Sequence, residues 1–182
     1  MQNSPVVLVL ASGRGERFIA SGGTGSKLQA LLAGKTVLER TLDAVRASGL
    51  PWHLEDAGHP GMGDSIAAAV RATTDAVGWL VLPGDLPLID PASLRRVAGA
   101  LGAHEIVLPH HQGQRGHPVG FGVACRDELL ALSGVEGAAS VVRPRAAQGR
   151  ALRLDLDDAG IVTDIDTVQD LAAAAQRLRG AP

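Results

Sequence analysis

Asp85 sits in Leu82-Pro83-Gly84-Asp85-Leu86-Pro87, directly after the apolar stretch Trp79 to Leu82. A carboxylate at a rigid strand end suits a hard cation. Magnesium takes oxygen ligands, often only one or two protein carboxylates plus substrate phosphates. Pro83, Gly84 and Pro87 leave a second possibility open, a turn-forming aspartate or helix cap. Asp164-Ile165-Asp166-Thr167 supplies two more carboxylates before an expected helix. Extended alternation puts Asp164 and Asp166 on one side and Ile165 toward a core. One of them can bind metal while the other caps or supports; equally, both can merely decorate the helix entrance.

The loop from Gly13 to Lys27 carries glycines at 13, 15, 22, 23 and 25, punctuated by Arg14, Arg17 and Lys27. Glycines let backbone amides turn toward an anion, and the cations offset phosphate charge. The alternative is an ordinary glycine-rich loop with solvated charges. Lys27 lacks the glycine-lysine-serine setting of a Walker loop, and Arg17-Phe18 replaces the close-packing glycine of a dinucleotide fingerprint. None of the six histidines forms a helical His-x-x-x-His pair, which argues against a zinc enzyme. His117, in Arg115-Gly116-His117-Pro118, can donate to a ligand or close a turn. Ser12 and Ser65 lie outside any nucleophile elbow, and Cys125 reads as a small buried side chain.

These residues need a scaffold. Val6–Leu10, Trp79–Leu82 and Ile106–Leu108 read as buried strands, Trp52–Glu55 and Val119–Ala124 as further strands, and Ala151–Leu156 as an exposed one. Helices are expected after Thr36 (a capping box with Glu39), after an Asp64 or Ser65 cap, after Asp90-Pro91 and after a Thr167 cap. Glu128–Leu132 and Ala138–Val142 are shorter helical candidates. Alternating strands and helices predict an α/β, three-layer, Rossmann-like domain spanning residues 1–182, with a predominantly parallel sheet. In such folds ligands gather beyond the carboxyl ends of the strands. The residues expected there are the Gly13–Lys27 loop, Asp85, His117 and Asp164–Asp166.

The composition narrows the function classes. With 17 basic and 19 acidic residues, bulk electrostatic grip on nucleic acid is excluded, and four aromatic side chains leave little for a stacking platform. The longest apolar run, Pro5 to Ala11, is too short to cross a bilayer, and no secretion signal is visible. A single cysteine excludes an internal disulfide framework. A cytoplasmic location is the simplest expectation.

Five blocks resemble the molybdenum-cofactor nucleotidyltransferases, closest to the molybdopterin cytidylyltransferases. They are Val9-Leu10-Ala11-Ser12-Gly13-Arg14-Gly15-Glu16-Arg17-Phe18 with Lys27-Leu28, Gly61-Met62-Gly63-Asp64-Ser65-Ile66, the Asp85 segment, Arg115-Gly116-His117-Pro118-Val119, and Asp164-Ile165-Asp166-Thr167. Each is weak alone; their order over nearly the whole chain is specific. The pair Ala11-Ser12 resembles the cytidylyltransferase opening more than the guanylyltransferase one.

The resemblance implies transfer of CMP from CTP to the terminal phosphate of molybdopterin or molybdenum-molybdopterin, with loss of pyrophosphate. The recipient of the product is then a molybdenum hydroxylase such as xanthine dehydrogenase, or its maturation chaperone. Ala11, Ser12, Gly13, Arg14, Gly15, Arg17 and Lys27 would hold the nucleotide with Ser65 and Asp85. Asp85 and Asp166, with Asp164 as fallback, would position Mg2+. Arg14, Lys27, Asp85 and Asp166 would carry catalysis, and Arg115 and His117 would bind the acceptor. Two stretches depart from the family. Arg17–Lys27 is longer, a flexible segment expected to close over nucleotide, and Gly49–Gly61 is shorter, with a strand–helix unit reduced or missing. That shortening keeps guanylyl or other nucleotidyl transfer open; a non-catalytic nucleotide- or cofactor-binding maturation role is a more distant alternative.

Overall fold

The computed structural model describes residues 4–13 and 15–180; the sequence-based assignment of Arg14 lies outside the described residues. Among these residues nine strands and seven α-helices follow one another. They are β1 (Val6–Leu10), α1 (Glu16–Ala20), β2 (Leu31–Leu32), β3 (Lys35–Thr36), α2 (Val37–Ser48), β4 (Trp52–Glu55), α3 (Met62–Ala72) and β5 (Gly78–Pro83). Then come α4 (Pro91–Ala100), β6 (Ile106–His111), β7 (Gln114–Arg115), β8 (Val119–Gly122), α5 (Arg126–Leu130), α6 (Ala139–Ala147), β9 (Ala151–Asp155) and α7 (Val168–Gly180).

A seven-stranded sheet runs β4-β1-β5-β8-β6-β7, with β9 also on β6; β2 and β3 form a separate hairpin. β1 pairs parallel with β4 and β5, and β6 with β9, while β7 and β8 run against their neighbours. The expected mostly parallel sheet is therefore mixed at β7 and β8. These are the two halves of the strand returning from β6, interrupted at Gly116–Pro118.

The alternation of side chains along β1 and β5 makes the three layers. Val6, Leu8, Leu10, Trp79 and Val81 pack on one face with Ile66 and Val70 of α3, Leu129 of α5 and Val141 of α6. Val7, Val9, Leu80 and Leu82 pack on the other with Leu42 and Val45 of α2 and Leu94 and Val97 of α4. All five β1 residues are buried, which a strand covered on both sides requires. Trp79 is fully buried, and its indole N–H finds Thr73 Oγ1 at 3.0 Å. A third cluster joins Leu28, Leu32, Val37, Ile165 and Ala174, tying the first loop to α7.

The caps explain where the helices begin. The Thr36–Glu39 box forms in both directions, at 3.1 and 2.7 Å, and Asp90 accepts from Ala92 N at 2.7 Å. Thr167 caps α7 and exchanges bonds with Asp170. The expected cap of α3 is corrected: Gly61 precedes the helix, while Asp64 and Ser65 lie inside its first turn. Asp64 instead accepts from Gly134 N at 2.9 Å. Val119–Ala124 is also shorter than expected, because a 3-10 turn at Val123–Cys125 ends the strand at Gly122. Between α2 and α3 only β4 forms, consistent with the compressed interval in the sequence. No described helix is long and apolar enough to cross a membrane.

Candidate active site

In register, Leu10 lies opposite Glu55 on one side and Pro83 on the other, so β4, β1 and β5 end level. The loops leaving these ends, with the interrupted β7–β8 segment and the chain before α7, enclose a cavity of about 580 Å³.

Asp85 is fixed by its backbone. Gly84 N donates to Leu10 O at 2.9 Å, Thr41 Oγ1 donates to Gly84 O at 2.9 Å, and Ile165 N donates to Asp85 O at 3.0 Å. Gly84 permits this approach, since a Cβ there would lie 3.1 Å from Leu10 O. Ile165 is fully buried, so its neighbours Asp164 and Asp166 both turn to the cavity, as the alternation predicts. Lys27 opens a 3-10 turn whose next residue, Leu28, is anchored in the third cluster.

The three elements meet at one ammonium. Lys27 Nζ lies 2.6 Å from Asp85 Oδ2 and 2.7 Å from Asp166 Oδ1, and Arg17 pairs with Asp166 Oδ2 at 2.6 Å. Burial works to discharge Lys27, but the two carboxylates outweigh it and raise its pKa above the ordinary value. Burial likewise favours protonated Asp166, yet Lys27 and Arg17 hold its pKa below the usual carboxylate value. Asp164 goes the other way. Burial, a hydrogen bond with Asp166 and the like charges of Asp166 and Asp85 raise its pKa.

The cavity lining includes Ser12, Gly13, Arg17, Lys27, Ser65 and Asp85, and also Arg115, His117, Asp164 and Asp166. Ala11 and Gly15, also expected to hold the nucleotide, are not among its lining residues. Ala11 N donates to Glu55 O at 2.9 Å, and a Cβ on Gly15 would meet the Lys27 side chain. Ser65 Oγ donates back to Gly61 O at 3.2 Å. The Ser21–Ser26 stretch, expected to be flexible, is anchored at Ser21 Oγ, which accepts from Val168 N at 3.0 Å. It is anchored again at Gly23, whose backbone sits on the Phe18 ring.

Two buried polar atoms here, Asp85 Oδ1 and His117 Nδ1, have no hydrogen-bond partner among the described residues. Burial, reinforced by Arg115, depresses the His117 pKa despite the charge of Asp85. No described group of three or more His, Cys, Asp or Glu residues is arranged to hold a metal. The residues present nonetheless fit a hard divalent cation. Asp85 Oδ1, beside Asp166, has no hydrogen-bond partner among the described residues, and phosphates of a ligand would complete the shell.

Glu55 and His59 escaped the sequence reading. Glu55 ends β4 as Asp85 follows β5, and His59 lines the cavity with Pro60 and Met62. The usable signal was the acidic residue closing a strand beside β1.

Fold and site together define an α/β protein of the nucleotidyltransferase type, with paired carboxylates beyond the strand ends. The chain belongs to the MobA-like NTP transferase domain family, whose model matches residues 44–152. That match includes Asp85 and His117 but not Lys27 or Asp166. The chain is similar to the bifunctional protein GlmU of Azoarcus sp. (strain BH72), 30% identical over 144 residues. The alignment covers 66% of this chain, and the chain spans about 30% of that relative's length. Among solved structures, it resembles a nucleotidyl transferase from Methanothermobacter thermautotroptrophicus with a TM-score of 0.81 at 21% identity, covering 98% of this chain and 100% of that one. It also resembles Rv0371c from Mycobacterium tuberculosis H37Rv in complex with manganese, with a TM-score of 0.69 at 23% identity, covering 97% and 100%. These two likenesses show the fold.

Proposed function

We propose that this chain transfers CMP from CTP to the terminal phosphate of molybdopterin or molybdenum-molybdopterin, releasing pyrophosphate. The observation that carries the reading is Lys27 held between Asp85 and Asp166 inside a strand-end cavity, with Asp85 Oδ1 unpartnered among the described residues. Family membership supports nucleotidyl transfer, and the five ordered motifs support the pterin acceptor.

An oxygen of the acceptor phosphate attacks the α-phosphorus, and the bond from that phosphorus to the bridging oxygen of the leaving pyrophosphate breaks. The acceptor is already anionic, so no general base is required. The protein's work is alignment and neutralisation of charge. Asp85 and Asp166 would hold the Mg2+, and the ion would neutralise charge on the phosphates; the manganese complex of a similar structure is in keeping with a divalent ion. Lys27 and Arg17 neutralise triphosphate oxygens. Arg115, an exposed residue of β7 at the cavity wall, meets the acceptor's phosphate, and His117 lies beside it. In this reading residues 1–182 act as one nucleotidyltransferase domain, and the product passes to a molybdenum hydroxylase or its chaperone.

The test is pyrophosphate release across the four ribonucleoside triphosphates with molybdopterin present. Release confined to CTP supports the assignment. Release confined to GTP moves it to guanylyl transfer, and binding without release makes the protein a carrier.

A further inference from the structure

We propose that His59, positioned by Glu55, reads the exocyclic amino group of the nucleotide's base. This rests on the reading of the cavity as a nucleotide site. Glu55 is 8% exposed and has no Lys or Arg partner among the described residues. A carboxylate so placed needs hydrogen bonds. It takes them from two rings, His59 Nε2 at 2.9 Å on Oε1 and His53 Nε2 at 3.4 Å on Oε2. Burial alone would raise the Glu55 pKa, and the two histidines reverse that, keeping it below the usual carboxylate value.

An ionised Glu55 fixes the tautomer of a neutral His59. Nε2 carries the proton, and Nδ1 keeps its lone pair as an acceptor. No described residue hydrogen-bonds Nδ1. The neighbouring Pro60 and the half-exposed Met62 give the cavity apolar surface suited to a planar ring. They follow β4, which lies on the other side of β1 from β8, the strand that His117 precedes. An acceptor at such a ring's edge complements the amino group of cytosine or adenine and opposes the carbonyl of uracil or guanine at the same position. Glu55 acts through His59 as a positioning residue.

The experiment is calorimetric titration of CTP and of UTP, with magnesium, at pH 8, above the ordinary imidazole range. It uses the full chain, His59→Ala, His59→Asn and Glu55→Gln, each checked by its melting curve. The expected parental preference for CTP is about tenfold, the discrimination one hydrogen bond supplies. His59→Ala should bring the two affinities within about twofold, whereas His59→Asn, whose side-chain oxygen can take the place of Nδ1, keeps most of the preference. Glu55→Gln should lower it partway, because a neutral amide no longer fixes the tautomer. An unchanged ratio in His59→Ala would overturn the inference and leave the nucleotide reading standing. Equal collapse in the Ala and Asn variants would overturn it too, assigning His59 to packing. A parent that binds neither triphosphate overturns both readings. His59 lies in the loop before α3, so its variants serve even if Glu55→Gln unfolds.

Discussion

Lys27 Nζ donates to Asp85 Oδ2 at 2.6 Å across 58 positions of chain. The two side chains are 12% and 13% exposed, and Asp166 on the far side of the ammonium is 15% exposed. From sequence alone, Lys27 is expected to matter for phosphate binding more than for folding. The pairing adds a structural role, because its removal leaves two shielded carboxylates facing each other. Lys27→Ala should therefore lose about 2–4 kcal/mol of stability in urea titration, besides weakening nucleotide binding. Millimolar magnesium should restore more stability to the variant than to the parent. Parental stability in the variant would show that the pair contributes nothing to the fold.

Asp85→Asn keeps the shape of the side chain and removes its charge. The backbone of Gly84 and Asp85 is held by Leu10, Thr41 and Ile165, so the circular dichroism spectrum should be retained. Magnesium-dependent turnover should fall about 100-fold or more, about 2.7 kcal/mol of transition-state stabilisation. Parental turnover at subsaturating magnesium would remove Asp85 from the metal site.

His117 gives a stability effect of known sign. Its folded pKa is depressed, mainly by burial. As pH falls below the ordinary imidazole value of 6.5, the unfolded chain takes up a proton that the folded chain resists. The parent should lose stability through this window, and His117→Gln should lose less. Urea titrations between pH 8 and pH 5 measure the difference, and parallel curves would contradict it.

Gly116 is a packing requirement. A Cβ there would lie 2.5 Å from Ile161 O, and His117 N already donates to that carbonyl at 2.9 Å. Gly116→Ala should displace the 3-10 turn at Ala159–Val162 and, with it, the chain leading to Asp164. Lower melting temperature and weaker acceptor binding should appear together; an unchanged melting curve would show that the contact is easily relieved.

The fold was legible wherever one residue type dictates local geometry. The β-branched run of β1, the Thr36–Glu39 box and the Asp90-Pro91 start all form as the sequence indicates. The elements not foreseen are held by distant contacts. Helix α1 is five residues long, with Phe18 buried and Gly23 against its ring. Hairpin β2–β3 rests on Leu32 in the third cluster. The start of α3 at Met62 depends on Gly61 and Gly63 packing against Ser133 and Gly134, which no local pattern reveals. At the site, Asp85, Lys27 and Asp166 were legible as separate residues, but their convergence on one ammonium was not. Glu55 and His59 stayed hidden because no spacing joins them to the other motifs; only the level ends of β1, β4 and β5 do.

The most direct measurement follows the α-phosphate. CTP labelled at that phosphorus is incubated with the protein, magnesium and molybdopterin, and the pterin is recovered. The expected outcome is label in a pterin–cytidine dinucleotide, formed one-for-one with pyrophosphate and lost in Asp85→Asn. Label remaining in CTP, or appearing only as free CMP while the pterin stays unlabelled, would contradict it.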